Sequence, residues 1–185
     1  MKLTSRQFFT ASAAALAFGL AFVGVAQIIT PEEAAERNNK LKTNTKQLAT
    51  GLILYAYDYD DSTTPARDWS KNIIPYVKYQ NLFSNPWRPG VKNAFGLNKA
   101  YIGIKLSSIG DVSRFAVVFP SSTSFTKAAG GKDDLWKPTK SAVGAIGFAD
   151  GHVEGYLRPI EVKADWSLKP KSAPKKAAVK KQSKP

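Results

Sequence analysis

The sequence predicts an α+β fold: a long N-terminal α-helix, its first half embedded in a membrane, packed on a small antiparallel β-sheet that a C-terminal hairpin closes. Three observations carry this expectation. Phe8 to Ile29 is a run of 22 residues without a charge. Asn44 to Asp61 reads NTKQLATGLILYAYDYDD, with apolar side chains at helical spacing. Gly147 to Leu157 reads GFADGHVEGYL, two short strand-like runs around Asp150-Gly151.

At about 1.5 Å per residue, a 22-residue helix crosses the roughly 30 Å hydrocarbon core of a bilayer. Phe8, Phe9, Leu16, Phe18, Leu20, Phe22, Val23, Val25, Ile28 and Ile29 supply its larger apolar side chains. Lys2 and Arg6 precede the stretch while Glu32 and Glu33 follow it, so the positive-inside bias leaves the N-terminus in the cytoplasm and the remainder outside. A cleaved signal peptide is the competing reading, with Gly24-Val25-Ala26 as the small-residue cleavage site before Gln27. Both readings export the domain. Thr4-Ser5-Arg6-Gln7-Phe8-Phe9 lacks one arginine of a twin-arginine signal.

Thr30-Pro31-Glu32-Glu33 is a capping box with proline at the first helical position. Behind it Leu41, Leu48, Leu52, Tyr55 and Tyr59 form a helical stripe, with Arg37, Lys40, Lys42 and Lys46 on other faces. A helix from Pro31 to about Tyr57 follows, continuous with the apolar stretch and jointed at Pro31. Asp58, Asp60 and Asp61 end it. Clustered carboxylates suit calcium, but this spacing is no EF-hand, and a solvated helix exit accounts for the same residues.

Trp69 to Leu82 contains Pro75 and predicts a short helix or turn rather than a central strand. Asn85-Pro86-Trp87-Arg88-Pro89-Gly90 reads as a rigid turn. Ala100 to Ile104 reads as a strand, Leu106 to Val112 as a linking loop, and Phe115 to Phe119 as an apolar strand buried on both faces. Ser121 to Lys140, rich in Ser, Thr, Gly and Lys, predicts a long exposed excursion. Ala142–Ala149 and His152–Leu157 then predict a hairpin with a type I′ turn at Asp150-Gly151.

The net charge of +13 is unevenly placed. Lys2 and Arg6 lie at one end, and seven lysines lie in residues 169–185. Residues 31–168 hold 18 basic and 14 acidic side chains, a net of +4. The organisation is therefore an apolar segment 1–30, one domain 31–168 and a Lys/Ala/Pro-rich tail 169–185. Without an aromatic past Trp166, the tail predicts a nonspecific polyanion contact rather than specific nucleic-acid recognition. The chain has no cysteine, which excludes disulfides, thiol catalysis and cysteine-based zinc sites. His152, beside Asp150 and Glu154, is the only histidine. As a metal ligand it lacks the partners a zinc site needs, and period-two spacing places His152 and Glu154 together on one exposed strand face. No cofactor motif is present, and no serine or threonine is matched to His152 as a nucleophile.

Asn44, Lys46 and Gln47, followed by Tyr55, Asp58 and Tyr59, resemble the N-L-K-Q-I…Y-A-x-D-Y-D stretch of bacterial pilin-like proteins. These are related to type IV pilins and to the major pseudopilins of type II secretion. Phe148-Ala149-Asp150-Gly151-His152-Val153 is similar to the F-x-D-G-H-V motif of one branch. Ile73-Ile74-Pro75-Tyr76-Val77 with Leu82-Phe83-Ser84-Asn85-Pro86 resembles that branch's L-L-P-Y-V…I-F-x-C-P, and Phe95-Gly96-Leu97-Asn98 its Y-G-Y-N. Family precursors carry G-F-T-L-I-E, cut after Gly. Here Gln7 precedes Phe8, Ala13 stands in place of the glutamate, and Leu41 and Asn85 stand where the branch carries cysteines.

The resemblance implies a non-enzymatic subunit without cofactor, inserted once in the bacterial inner membrane with its domain outside the cytoplasm or at the cell surface. It implies assembly with copies of itself or with other pilin-like subunits. A second reading is a soluble periplasmic or extracellular module whose basic tail holds a polyanionic partner.

Overall fold

The computed structural model describes residues 29–66, 68–123, 129–139 and 141–168. The main elements are α1 (Pro31–Asp58), α2 (Trp69–Val77), β1 (Phe95–Asn98), β2 (Ala116–Pro120), β3 (Ala129–Gly130), β4 (Gly144–Phe148) and β5 (Val153–Tyr156).

The expected single helix running from the apolar stretch through Pro31 is corrected. α1 starts at Pro31, and Thr30 is extended at φ −69° and ψ 158°. The Glu33 amide donates to Thr30 Oγ1 at 3.2 Å and the Thr30 amide donates to Glu33 Oε2 at 3.3 Å. These bonds satisfy two amides that an upstream helical turn would otherwise serve, and Pro31 has no amide to offer one. Among the described residues no helix is long and apolar enough to cross a membrane. Residues Phe8 to Ile28, on which the expected span rests, lie outside them.

The sheet corrects the prediction a second time: it is five-stranded and mixed, in the order β3-β1-β2-β4-β5. β1–β2, β2–β4 and β4–β5 are antiparallel, but β3 runs parallel to β1, with Leu97 opposite Ala129. The cause is local. The chain leaves β2 at Pro120, beside the start of β1. A strand laid on the far edge of β1 from that end must run with β1 and against β2.

Two smaller expectations also fail. Ala100 to Ile104 is no strand, because Asn98 Oδ1 accepts the Ala100 amide at 3.0 Å and a 3-10 turn occupies Lys99–Tyr101. The strand is β1, just upstream. The Ser121–Lys140 excursion is anchored as well as exposed: Leu135 and Trp136 are buried, and the Trp136 amide donates to the Pro120 carbonyl at 2.8 Å.

α1 packs along β4 on one face of the sheet. Its stripe is buried at Leu41, Leu48, Leu52 and Tyr55, while Tyr59 is 55% exposed. The close fit depends on Gly147, where an added Cβ would lie 2.9 Å from Ala49 Cβ and 2.8 Å from Val118 Cγ1. α2 caps this core with Trp69, Ile73 and Val77. On the other face Ala116, Phe119, Leu135, Ile146, Phe148 and Tyr156 form a second cluster, covered by Val162, Ala164 and Trp166. Trp166 stands edge-on to Phe119 at 5.2 Å.

Candidate functional site

The first motif stretch divides by face of α1. Asn44 is buried and its Nδ2 donates to the Ser84 carbonyl at 3.1 Å, which ties α1 to the turn after α2. Lys46 and Gln47 are exposed and border an open groove of about 480 Å³ with Tyr76, Val77 and Tyr79. Tyr55 stacks on Tyr59 at 4.3 Å and meets Tyr76 edge-on at 6.1 Å. Pro75 places Tyr76 in the last turn of α2, where its hydroxyl donates to Asp58 Oδ2 at 2.8 Å. That bond to a carboxylate pushes the Tyr76 phenol up to about 12, because losing the proton would set two anions side by side.

The acids at the helix exit have separate tasks. Asp58 holds Tyr76. Asp60 and Asp61 adopt φ of 51° and 65°, a left-handed reversal that aspartate tolerates better than most residues. Lys105 Nζ donates to the Asp60 carbonyl, and Asp61 Oδ2 accepts the Ser107 amide at 3.0 Å. Hydrogen bonds from Ser107, with the Lys105 charge nearby, hold the Asp61 carboxyl below the usual carboxylate range. The cluster therefore reads as a stapled helix exit. Among the described residues no group of three or more His, Cys, Asp or Glu is placed to hold a metal ion.

The second motif forms the β4–β5 turn, and its detail differs from the expected type I′. Only Gly151 has positive φ, at 87°, while Ala149 and Asp150 do not. The Gly151 amide donates to the Phe148 carbonyl at 2.9 Å, and the Phe148 amide to the His152 carbonyl at 3.0 Å. This is a three-residue loop with glycine in the left-handed position. Asp150 Oδ1 accepts the His152 amide at 3.0 Å and pairs with His152 Nδ1, and His152 Nε2 lies 3.7 Å from Glu154 Oε1. The imidazole stacks on Phe148 at 4.3 Å, nearly parallel.

The fold brings the two motifs together at one point. A side chain at Gly151 would meet Ile53 and Thr50 of α1 at 3.5 and 4.0 Å. His152, two strand positions from Glu154 and four from buried Tyr156, lies on the opposite face, its partly exposed ring against Phe148 of the second cluster. Among the described residues, the hydrogen bonds of its ring run to Asp150 and none to a serine or threonine. The arrangement is a rigid seam between helix and hairpin.

Sequence reasoning missed the residue that fastens the start of α1. Asn38 Oδ1 accepts Trp87 Nε1 at 3.0 Å and the Val143 amide at 2.9 Å, and its Nδ2 donates to the Ser141 carbonyl at 3.1 Å. Arg37 lies over the Trp87 ring at 5.5 Å. The one sequence cue was the rarity of a half-turn of Asn38-Asn39 inside a helix. Of the residues expected to anchor the chain, only Ile29 is described, where it joins Thr30, Pro31, Ala34, Ala35, Asn38 and Ser141 around a shallow depression. Comparison with protein-family models, with curated proteins and with solved structures finds no match for this chain.

Proposed function

We propose that this chain is an exported, non-enzymatic, pilin-like structural subunit. Its uncharged segment holds it at the bacterial inner membrane and assembles with copies of itself or with other pilin-like subunits, into a filament or a secretion pseudopilus. One observation carries the reading: the start of α1 stands clear of the core. Burial in α1 begins only at Leu41, and the first of its side chains bonded to the body is Asn38. Arg37 already lies over the Trp87 ring, so Pro31 to Glu36 form a stalk of about 9 Å. It is polar, and it leads directly to the 22 uncharged residues ahead of Thr30. The capping box starts α1 at Pro31, with Thr30 extended ahead of it.

Small Ala and Gly residues in the uncharged segment would allow close approach between neighbouring copies. Electron microscopy of sheared cell-surface and periplasmic material, with mass spectrometry of the native N-terminus, tests the proposal. Filaments containing a chain that retains Phe8 to Ile29 are expected. A soluble monomer beginning at Gln27 overturns it.

A further inference from the structure

The two edges of the sheet are not alike. β3, on one edge, is two residues long, and the Asp134 carboxylate lies close against Gly130 there. β5, on the other, is four residues long and ends the strand order. The Phe148 amide donates to the His152 carbonyl, so His152, Glu154 and Tyr156 turn their backbone groups toward β4. Val153 and Gly155 therefore turn theirs outward. Among the described residues, nothing outside the β4–β5 pair bonds to their amides or carbonyls.

An edge is normally blunted by proline, a bulge or a covering segment. β5 has no proline, and its pairing with β4 runs without a register shift. Gly155 is exposed at this edge. A Cβ there would lie 3.1 Å from Val143 Cγ1 and 3.4 Å from Lys42 Cε, tight but tolerable because the lysine can swing aside. Its packing alone does not demand glycine. A glycine inside a strand weakens the strand, but it admits another backbone at close range.

An open trough of about 630 Å³ lies at the same edge. Lys42 of α1 stands on one lip and Glu161, Val162 and Lys163 on the other, with Gly155 and Leu157 between. Leu157 is 60% exposed, and Ile160 just beyond it is 81% exposed. Arg158 holds Glu161 at 2.8 Å, and His152 Nε2 lies 3.7 Å from Glu154. Among the described residues Lys42 and Lys163 have no ion-pair partner. The uncommitted charge of the trough is therefore basic, one lysine to each lip.

We propose that the β5 edge takes an extended, acidic segment of a partner protein as a sixth strand of the sheet. Main-chain bonds to Val153 and Gly155 supply the pairing, and alternate side chains of the added strand fall on opposite lips. Carboxylates of the partner meet Lys42 and Lys163, while Leu157 and Ile160 give apolar contact where the strand ends. A second copy of this chain fits less well. Antiparallel pairing centred on Gly155 brings the two Lys42 side chains together, and pairing centred on Glu154 sets two carboxylates directly opposite each other. The contact involves the body alone and does not depend on how the uncharged segment is held.

The test uses the full chain in detergent micelles and two ten-residue probes, one of alternating valine and glutamate, the other of alternating valine and lysine. At saturation the glutamate peptide is expected to slow hydrogen exchange at the Val153 and Gly155 amides about tenfold, measured by nuclear magnetic resonance. The lysine peptide should bind several-fold more weakly. Gly155→Pro removes one outward N–H but keeps the bonds of Glu154 and Tyr156 to β4, and it should abolish the protection at Val153. Lys42→Glu, on an exposed side chain, should weaken the glutamate peptide several-fold and strengthen the lysine peptide without changing the melting temperature. That exchange of charge serves if the proline variant fails to fold. Unchanged exchange at Val153 and Gly155, equal binding of the two peptides, or binding that survives in a folded Gly155→Pro chain overturns the proposal. So does protection that appears without peptide as the protein is concentrated, which would reassign the edge to a second copy.

Discussion

Asn38 joins three segments that are distant in sequence, through one amide group. Its loss leaves the Trp87 indole N–H and the Val143 amide without their acceptor. Asn38→Ala is expected to destabilise the domain by about 1–3 kcal/mol, the penalty of partly buried donors left unmade. Asn39→Ala, on the exposed side, should stay within about 0.5 kcal/mol when the two variants are compared by urea titration. Tyr76 gives a pH-dependent counterpart. Its phenol is raised from 10.0 to about 12 in the folded chain. An acid with a raised folded-state value contributes stability that is complete below the unfolded value and is lost as pH rises toward the folded one. Melting temperature should therefore fall between pH 10 and 12, and Tyr76→Phe should fall less steeply. Tyr101 and Tyr156, raised chiefly by burial, keep part of the slope in that variant.

At the scale of elements, the contact between α1 and β4 depends on an absent side chain. Gly147→Ala places a methyl within 3 Å of both Ala49 and Val118, one on the helix and one on the central strand β2. Neither neighbour can rotate out of the way, since the contact atoms are a Cβ and a β-branched methyl in a closed core. Overpacking of this kind destabilises by about 1–3 kcal/mol, measurable by thermal melting. A paired Ala49→Gly substitution should recover part of the loss by removing one of the two opposing atoms. That partial rescue would not occur if Gly147 mattered only for its backbone.

For the whole molecule, the second face of the sheet is closed by a segment rather than by a helix. Val162, Ala164 and Trp166 cover Phe119, Ile146 and Phe148. A chain ending at Arg158 should lose much of its stability and bind hydrophobic dyes, whereas a chain ending at Leu168 should melt like the full-length protein. Equal melting of the two would show that this cover is not needed. The sequence by itself determined the local elements: the Thr30 capping box, the helical stripe from Leu41 to Tyr55, the apolar β2 and the reversal at Asp150-Gly151. Each is written in neighbouring residues, through hydrogen bonds three positions apart or through periods of 3.6 and 2. Only the tertiary structure decided the parallel β3, the role of Asn38, and the closing of the second face by residues 162–166. Those depend on pairings between segments far apart in the chain, such as Asp165 with Phe115 and Leu97 with Ala129. A pairing of that kind is set by which edge or face remains open once the rest has packed, and local composition carries no record of it.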